Sequence, residues 1–142
     1  MITDAQDNLG KFASDLVRNW LKKSGYSVFQ IDWMGQYFSK EKNDLVDVVF
    51  EVKGKGRKWT PPPYYGHGLD IRQVYARMAF YRRTGIRPYF IVWDQEEQCL
   101  YGNYIDELEK IPNLYTSPGN IRIYPISHLH RYTVEDVIKL DS

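Results

Sequence analysis

The stretch Asp44-Leu45-Val46-Asp47-Val48-Val49-Phe50-Glu51-Val52-Lys53-Gly54-Lys55 decides how the rest of the chain is read. Val48, Val49, Phe50 and Val52 favour extended backbone, so the run from about Leu45 to Lys53 reads as a strand. Side chains on a strand alternate faces, which puts Glu51 and Lys53 on one side and Val52 on the other. An acid and an amine on an otherwise apolar strand are costly to bury unless they are paired or used. Two readings are open at this point: an ion pair on an edge strand, or two residues of a site.

Immediately upstream, Ser39-Lys40-Glu41-Lys42-Asn43-Asp44 carries turn chemistry and no core residue, as expected of a hairpin tip. With the turn centred near Glu41 and Lys42, antiparallel partners sum to about 83, and Asp32 falls opposite Glu51. Before it, Tyr26 to Ile31 reads as a strand, followed by a less regular passage through Trp33, Met34, Tyr37 and Phe38. Further upstream Thr3 and Gln6 form a capping box, and Gly25 supplies a stop. Between them Leu9, Phe12, Ala13, Leu16, Val17, Trp20 and Leu21 keep the rhythm of an amphipathic helix, with Asp7, Lys11, Asp15, Arg18 and Lys22 off the stripe.

Downstream, Gly54 to Gly68 reads as a long loop stiffened by Pro61, Pro62 and Pro63. It opens with Lys53, Lys55, Arg57 and Lys58 and carries Trp59, Tyr64, Tyr65 and His67. Basic residues mixed with aromatics suit phosphate contact and base stacking, and a plain solvated loop is the competing reading. Asp70 and Gln73 then start a second helix with Ile71, Val74, Tyr75, Met78 and Ala79 as its stripe, Arg72, Arg77, Arg82 and Arg83 on other faces, and Gly85 as its stop.

The continuous apolar run Pro88–Trp93 is expected to be a central strand covered on both sides. A turn at Asp94–Gln98, a short strand Cys99–Tyr101, a short helix around Ile105–Leu108 and a strand with Ile121 and Ile123 follow. A last helix is capped by Thr133, with Tyr132 and Val137 as a staple. The order predicts one α/β domain over residues 1–142, built on a mixed sheet.

Nineteen lysines and arginines against 18 acids leave a net charge of +1, so a nucleic-acid partner must be held by a local basic patch. A single cysteine, Cys99, excludes an internal disulfide framework and fits a reducing compartment. With no membrane-length apolar run and no signal-peptide pattern, the expectation is a cytoplasmic protein without a membrane partner.

Glu51-Val52-Lys53 at the end of a strand that follows a helix and a hairpin, and precedes a loop and a basic helix, resembles the PD-(D/E)xK nuclease superfamily. Within it, the chain looks most like Holliday-junction-resolvase-like and phage-type small nucleases, which would place it in a host cell's cytoplasm if phage-encoded. The matching pieces run from Gly10 through Gly25-Tyr26, Glu51 to Lys53, and Asp70 through Val92. The resemblance implies a restriction-endonuclease-like three-layer core, a central mixed β-sheet flanked by helices.

It also implies a DNA endonuclease using Mg²⁺ or Mn²⁺, because phosphodiester hydrolysis needs an ion to activate water and absorb developing charge. Glu51, the Val52 carbonyl and an aspartate would be its ligands. Asp32 has the family-like separation from Glu51, and Asp44-Leu45-Val46 has the local pattern, so Asp44 is the alternative. Lys53 would stand beside the attacking water.

Gln73 matches a post-motif glutamine facing the active site, with completion of the Asp70 capping box as its other role; Arg77 lies one turn on along the same face. Lys55, Arg57, Lys58, Trp59, Tyr65, Arg72 and Arg77 would contact DNA. Where junction-resolving members often carry a glutamate on the first helix, this chain has Ser14 beside Asp15. Branched DNA is the implied substrate, and symmetric cutting of it implies a homodimer. A catalytically inactive nuclease-fold DNA-binding or assembly module, and an RNA nuclease, are the alternatives. His128-x-His130 reads as surface histidines, His67 as a loop residue touching water or DNA, and Cys99 as buried structure.

Overall fold

The N-terminal amphipathic stripe folds as helix α1 (Asp4–Lys23) in a computed structural model that describes residues 4–23, 27–28, 34–39, 42–59 and 65–133. Ala13, Val17 and Leu21 are buried on the core side, and Lys11, Asp15 and Lys22 are exposed. Phe12 is 53% exposed and covers Trp93, with ring centroids 5.5 Å apart. The proposed caps at Thr3 and Gly25 lie outside the described residues.

Strand β1 (Ser27–Val28) pairs antiparallel with β2 (Met34–Ser39), which pairs antiparallel with β3 (Asp44–Lys55). Met34 faces Val49 and Ser39 faces Asp44, so partners in the hairpin sum to 83 as expected. The passage read as irregular is corrected: Met34 to Ser39 is the regular first arm of that hairpin. The turn closes through Asn43, whose φ of 51° suits an asparagine.

The expected loop from Gly54 to Gly68 is also corrected. β3 runs on through Lys55, and Gly66–Asp70 forms a strand, β4. Gly-His-Gly offers no β-forming side chain, which hid it in the sequence. The glycine serves close approach instead: a Cβ at Gly66 would stand 1.8 Å from the Tyr124 carbonyl oxygen.

Helix α2 (Ile71–Thr84) begins where the Asp70 carboxylate accepts the Arg72 backbone N–H at 2.8 Å, and ends at Gly85 with φ 75°. Strand β5 (Arg87–Asp94) is the central strand that its apolar run predicts, parallel to β3 and antiparallel to β6 (Cys99–Tyr104). The short helix α3 (Ile105–Leu108), β7 (Tyr115–Thr116), β8 (Ile121–Pro125), a single 3₁₀ turn (Ile126–His128) and β9 (His130–Thr133) complete the described chain. The helix proposed after Thr133 lies outside the described residues.

The result is a mixed α/β protein with two sheets. The larger has the order β1-β2-β3-β5-β6-β9, and the second, which the sequence reading did not anticipate, has β4-β8-β7. One apolar core lies between α1 and the large sheet, around Val17, Phe50, Ile91 and Leu100. The other, around Leu69, Val74, Phe90, Leu108 and Tyr124, fills the opposite face beneath α2, α3 and the second sheet. Cys99 is buried there, as expected. No helix of the described residues is long and apolar enough to cross a membrane.

Candidate functional site

Alternation along β3 sends Phe50 and Val52 under α1 and leaves Glu51, Lys53 and Lys55 facing α2. Glu51 is only 8% exposed, and its Oε1 accepts a hydrogen bond from Arg77 Nε at 2.8 Å. Gln73 sits one helical turn before Arg77 and lines, with Lys53, Lys55, Asp70, Arg72 and Ile121, a cleft of about 560 Å³. The end of β3, the start of α2 and β8 thus converge on one recess. Gln73 offers this cleft an amide that has no hydrogen-bond partner among the described residues. The capping-box role weighed for it is not realised; the Asp70 side chain holds Arg72 instead.

Lys53 and Lys55 stand two positions apart on β3, about 6.6 Å along the strand, and Arg57 is exposed in the bend that follows. None of the three is ion-paired with a described carboxylate. Burial first, and then the neighbouring Lys53 ammonium, push the Lys55 ammonium below its ordinary value. The carboxylate that shares this cleft, Asp70, is engaged by the Arg72 guanidinium and backbone N–H, which hold it down to about 2. Arg72, with its side chain 85% exposed, reaches outward at the rim.

Lys58 corrects an expectation. Read as a DNA contact beside Arg57, it is 3% exposed, with its ammonium 2.8 Å from Asp94 Oδ2 and 2.9 Å from Glu97 Oε1. Burial alone would lower its pKa, but the two carboxylates outweigh that and keep it charged. His67, read as a loop residue, is a buried β4 residue whose Nε2 lies 2.9 Å from the same Asp94 oxygen. Burial, stronger than the attraction of Asp94, depresses His67, so the neutral ring donates its Nε2–H. The Tyr101 hydroxyl donates to Glu97 and closes the network. No sequence signal marked it, because Asp94 and Glu97 read as a charged turn.

Arg77, also read as a DNA contact, is spent on Glu51. Asp44 is corrected as a partner for Glu51: it is exposed at the hairpin tip opposite Ser39, and seven strand residues place it roughly 23 Å away. Asp32 lies outside the described residues. Ser14 is half-buried in a groove of about 840 Å³ shared with Val52, Lys53 and Gly54, on the α1 side of the same strand end. Val52 takes its place in the parallel ladder opposite Ile91. Trp59 is half-buried, Tyr65 is 49% exposed, and His128 and His130 are exposed.

For a hard divalent cation the described donor set falls short. Mg²⁺ is held by carboxylates, carbonyls and waters, and here Glu51 is one carboxylate, already held by Arg77. Among the described residues no three His, Cys, Asp or Glu side chains gather to hold a metal. Among the described residues, the cleft offers two cations without a carboxylate partner, Lys53 and Lys55, and the unpartnered Gln73 amide, a surface for an anion. Comparison of the chain with protein-family models and with curated proteins finds no match.

Proposed function

We propose that the Lys53–Gln73 cleft binds the phosphodiester backbone of DNA and that the protein is a metal-dependent endonuclease of the PD-(D/E)xK type, with a restriction-endonuclease-like core. The carrying observation is the pair Lys53 and Lys55, ion-paired with no described carboxylate, lining one cleft with a Gln73 amide that has no partner among the described residues, with Arg57 just beyond the strand end. Two further facts support it. The Glu51–Lys53 strand follows a helix and a hairpin and precedes a basic helix, the setting the resemblance implies. Glu51 and Lys53 share a face, as that chemistry requires.

In this reading Lys53 stabilises charge on the attacked phosphate and Gln73 orients a phosphate oxygen or water. Asp32 would be the second carboxylate that the resemblance implies beside Glu51, and Mg²⁺ or Mn²⁺ would supply Lewis-acid stabilisation. Lys55 and Arg57 hold neighbouring phosphates. Branched DNA and a homodimer remain part of the proposal through the resemblance alone.

One observation favours a second reading, a non-catalytic DNA-binding module: the Glu51–Arg77 pair occupies the carboxylate that catalysis would use. The deciding experiment incubates the pure protein with labelled linear, single-stranded and four-way DNA, with Mg²⁺, Mn²⁺ or chelator. Metal-dependent cleavage that Glu51→Ala abolishes while DNA binding persists establishes the enzyme. Binding without cleavage of any substrate establishes the module, and absence of both removes the DNA reading.

A further inference from the structure

Beyond Lys55 the cation row does not run off into solvent. It borders a second recess of about 290 Å³, lined by Lys55, Arg57, Trp59, Gly68, Ile121 and Ile123, together with the buried Lys58 and His67. Lys55, Gly68 and Ile121 also line the Lys53–Gln73 cleft, so the two recesses share a wall. The second one differs in chemistry: an indole and two isoleucines supply apolar surface, and the cations stand at its edge. Gly68 is required for this shape, since a Cβ there would meet Ile121 at 2.4 Å and Ile123 at 2.8 Å.

Trp59 is tied through its backbone to Gly66. Its backbone N–H donates to Gly66 at 2.8 Å and its carbonyl accepts from Gly66 at 3.1 Å. Next to it, Lys58 is locked by Asp94 and Glu97. The indole packs on Tyr115 at 6.5 Å between centroids. Its Nε1–H is buried with no acceptor among the described residues. An aromatic wall, apolar isoleucine surface and two cations match one nucleotide unit: a flat base joined to a phosphate.

We infer that the Trp59 recess takes one unstacked nucleobase of a single-stranded DNA segment, its phosphate lying on Lys55 and Arg57. A base inside a duplex cannot enter, because both of its faces are already stacked. This rests on the phosphodiester reading of the adjacent cleft and adds to it a requirement for an unpaired base.

The test measures binding by fluorescence anisotropy, in chelator, of labelled oligothymidylate and of an abasic oligomer with the same number of phosphates. The wild type is expected to prefer the thymidylate by about tenfold, within the range of base–aromatic stacking. Trp59→Ala abolishes that preference and leaves abasic binding unchanged, Trp59→Phe retains most of it, and Lys53→Ala weakens both oligomers alike. Circular dichroism establishes that each variant is folded. Equal wild-type binding of the two oligomers overturns the base pocket while leaving the phosphate cleft intact. So does an equal loss for both oligomers in Trp59→Ala. No binding of either oligomer overturns the pocket and the cleft together.

Discussion

Lys55 and Lys58 stand three residues apart and meet opposite surroundings. Lys58 is enclosed with Asp94, Glu97 and His67, its charge balanced inside the protein. Lys55 stands at the rim of two recesses, has no ion pair with a described carboxylate, and carries a pKa depressed by burial and by Lys53. The balanced group has spent its electrostatic energy on holding the chain. The unbalanced one is held at a cost that a bound anion would remove. Position in a basic stretch therefore says little about role; the partner does.

The sharpest way to break this contrast is Lys58→Ala. It leaves Asp94 buried without its counter-ion and should cost about 3–5 kcal/mol of stability, whereas Lys55→Ala should stay within about 0.5 kcal/mol. Urea unfolding measures both, and similar losses would erase the distinction. Next in size, Lys53→Ala should slow cleavage by about 10²–10³-fold while the melting temperature holds, a combination that Lys58→Ala cannot give. The double variant Lys55→Ala/Arg57→Ala should lower the slope of log affinity against log salt by about two. Titration of DNA at several salt concentrations reads it, and an unchanged slope would take both residues off the DNA path.

The smallest effect is on pH. His67 is depressed below 6.5 by burial, with the Asp94 hydrogen bond opposing. The folded state therefore binds its proton more weakly than the unfolded state, and stability falls as pH drops below 6.5 toward the depressed value. Glu97, held to about 2 by Lys58 first and Tyr101 second, adds a later loss as pH falls below 4.5. Unfolding free energies across that range should show both stages, and His67→Gln should remove only the first.

Much of the fold was legible where one local signal sufficed. The stripe Ala13, Val17, Leu21 needed only helical spacing, and the hairpin register followed from the polar run around Lys42. The apolar run at Phe90–Trp93 announced a central strand. What failed depended on distant partners. β4 pairs with β8 across more than fifty residues, and its glycines signal a turn unless Tyr124 is known to lie against them. Lys58 and Arg77 read as surface cations because nothing local tells that Asp94 and Glu51 await them. Glu51 and Lys53 were placed on the correct face by alternation alone. For Gln73 two roles were open in the sequence; among the described residues its side chain makes no capping hydrogen bond, and it lines the cleft.

The central parallel pair carries a consequence for how the molecule is made. Val48 lies beside Arg87, 39 residues later, and the wall opposite Lys53 is supplied by Ile121. Pairing so distant in sequence must close a long segment before any contact rewards it, which slows folding. During synthesis the cations of β3 leave the ribosome well before the groups that enclose them. The cleft can exist only after residue 121 has emerged, and until then the nascent protein presents a basic strand with no shape to select what it touches.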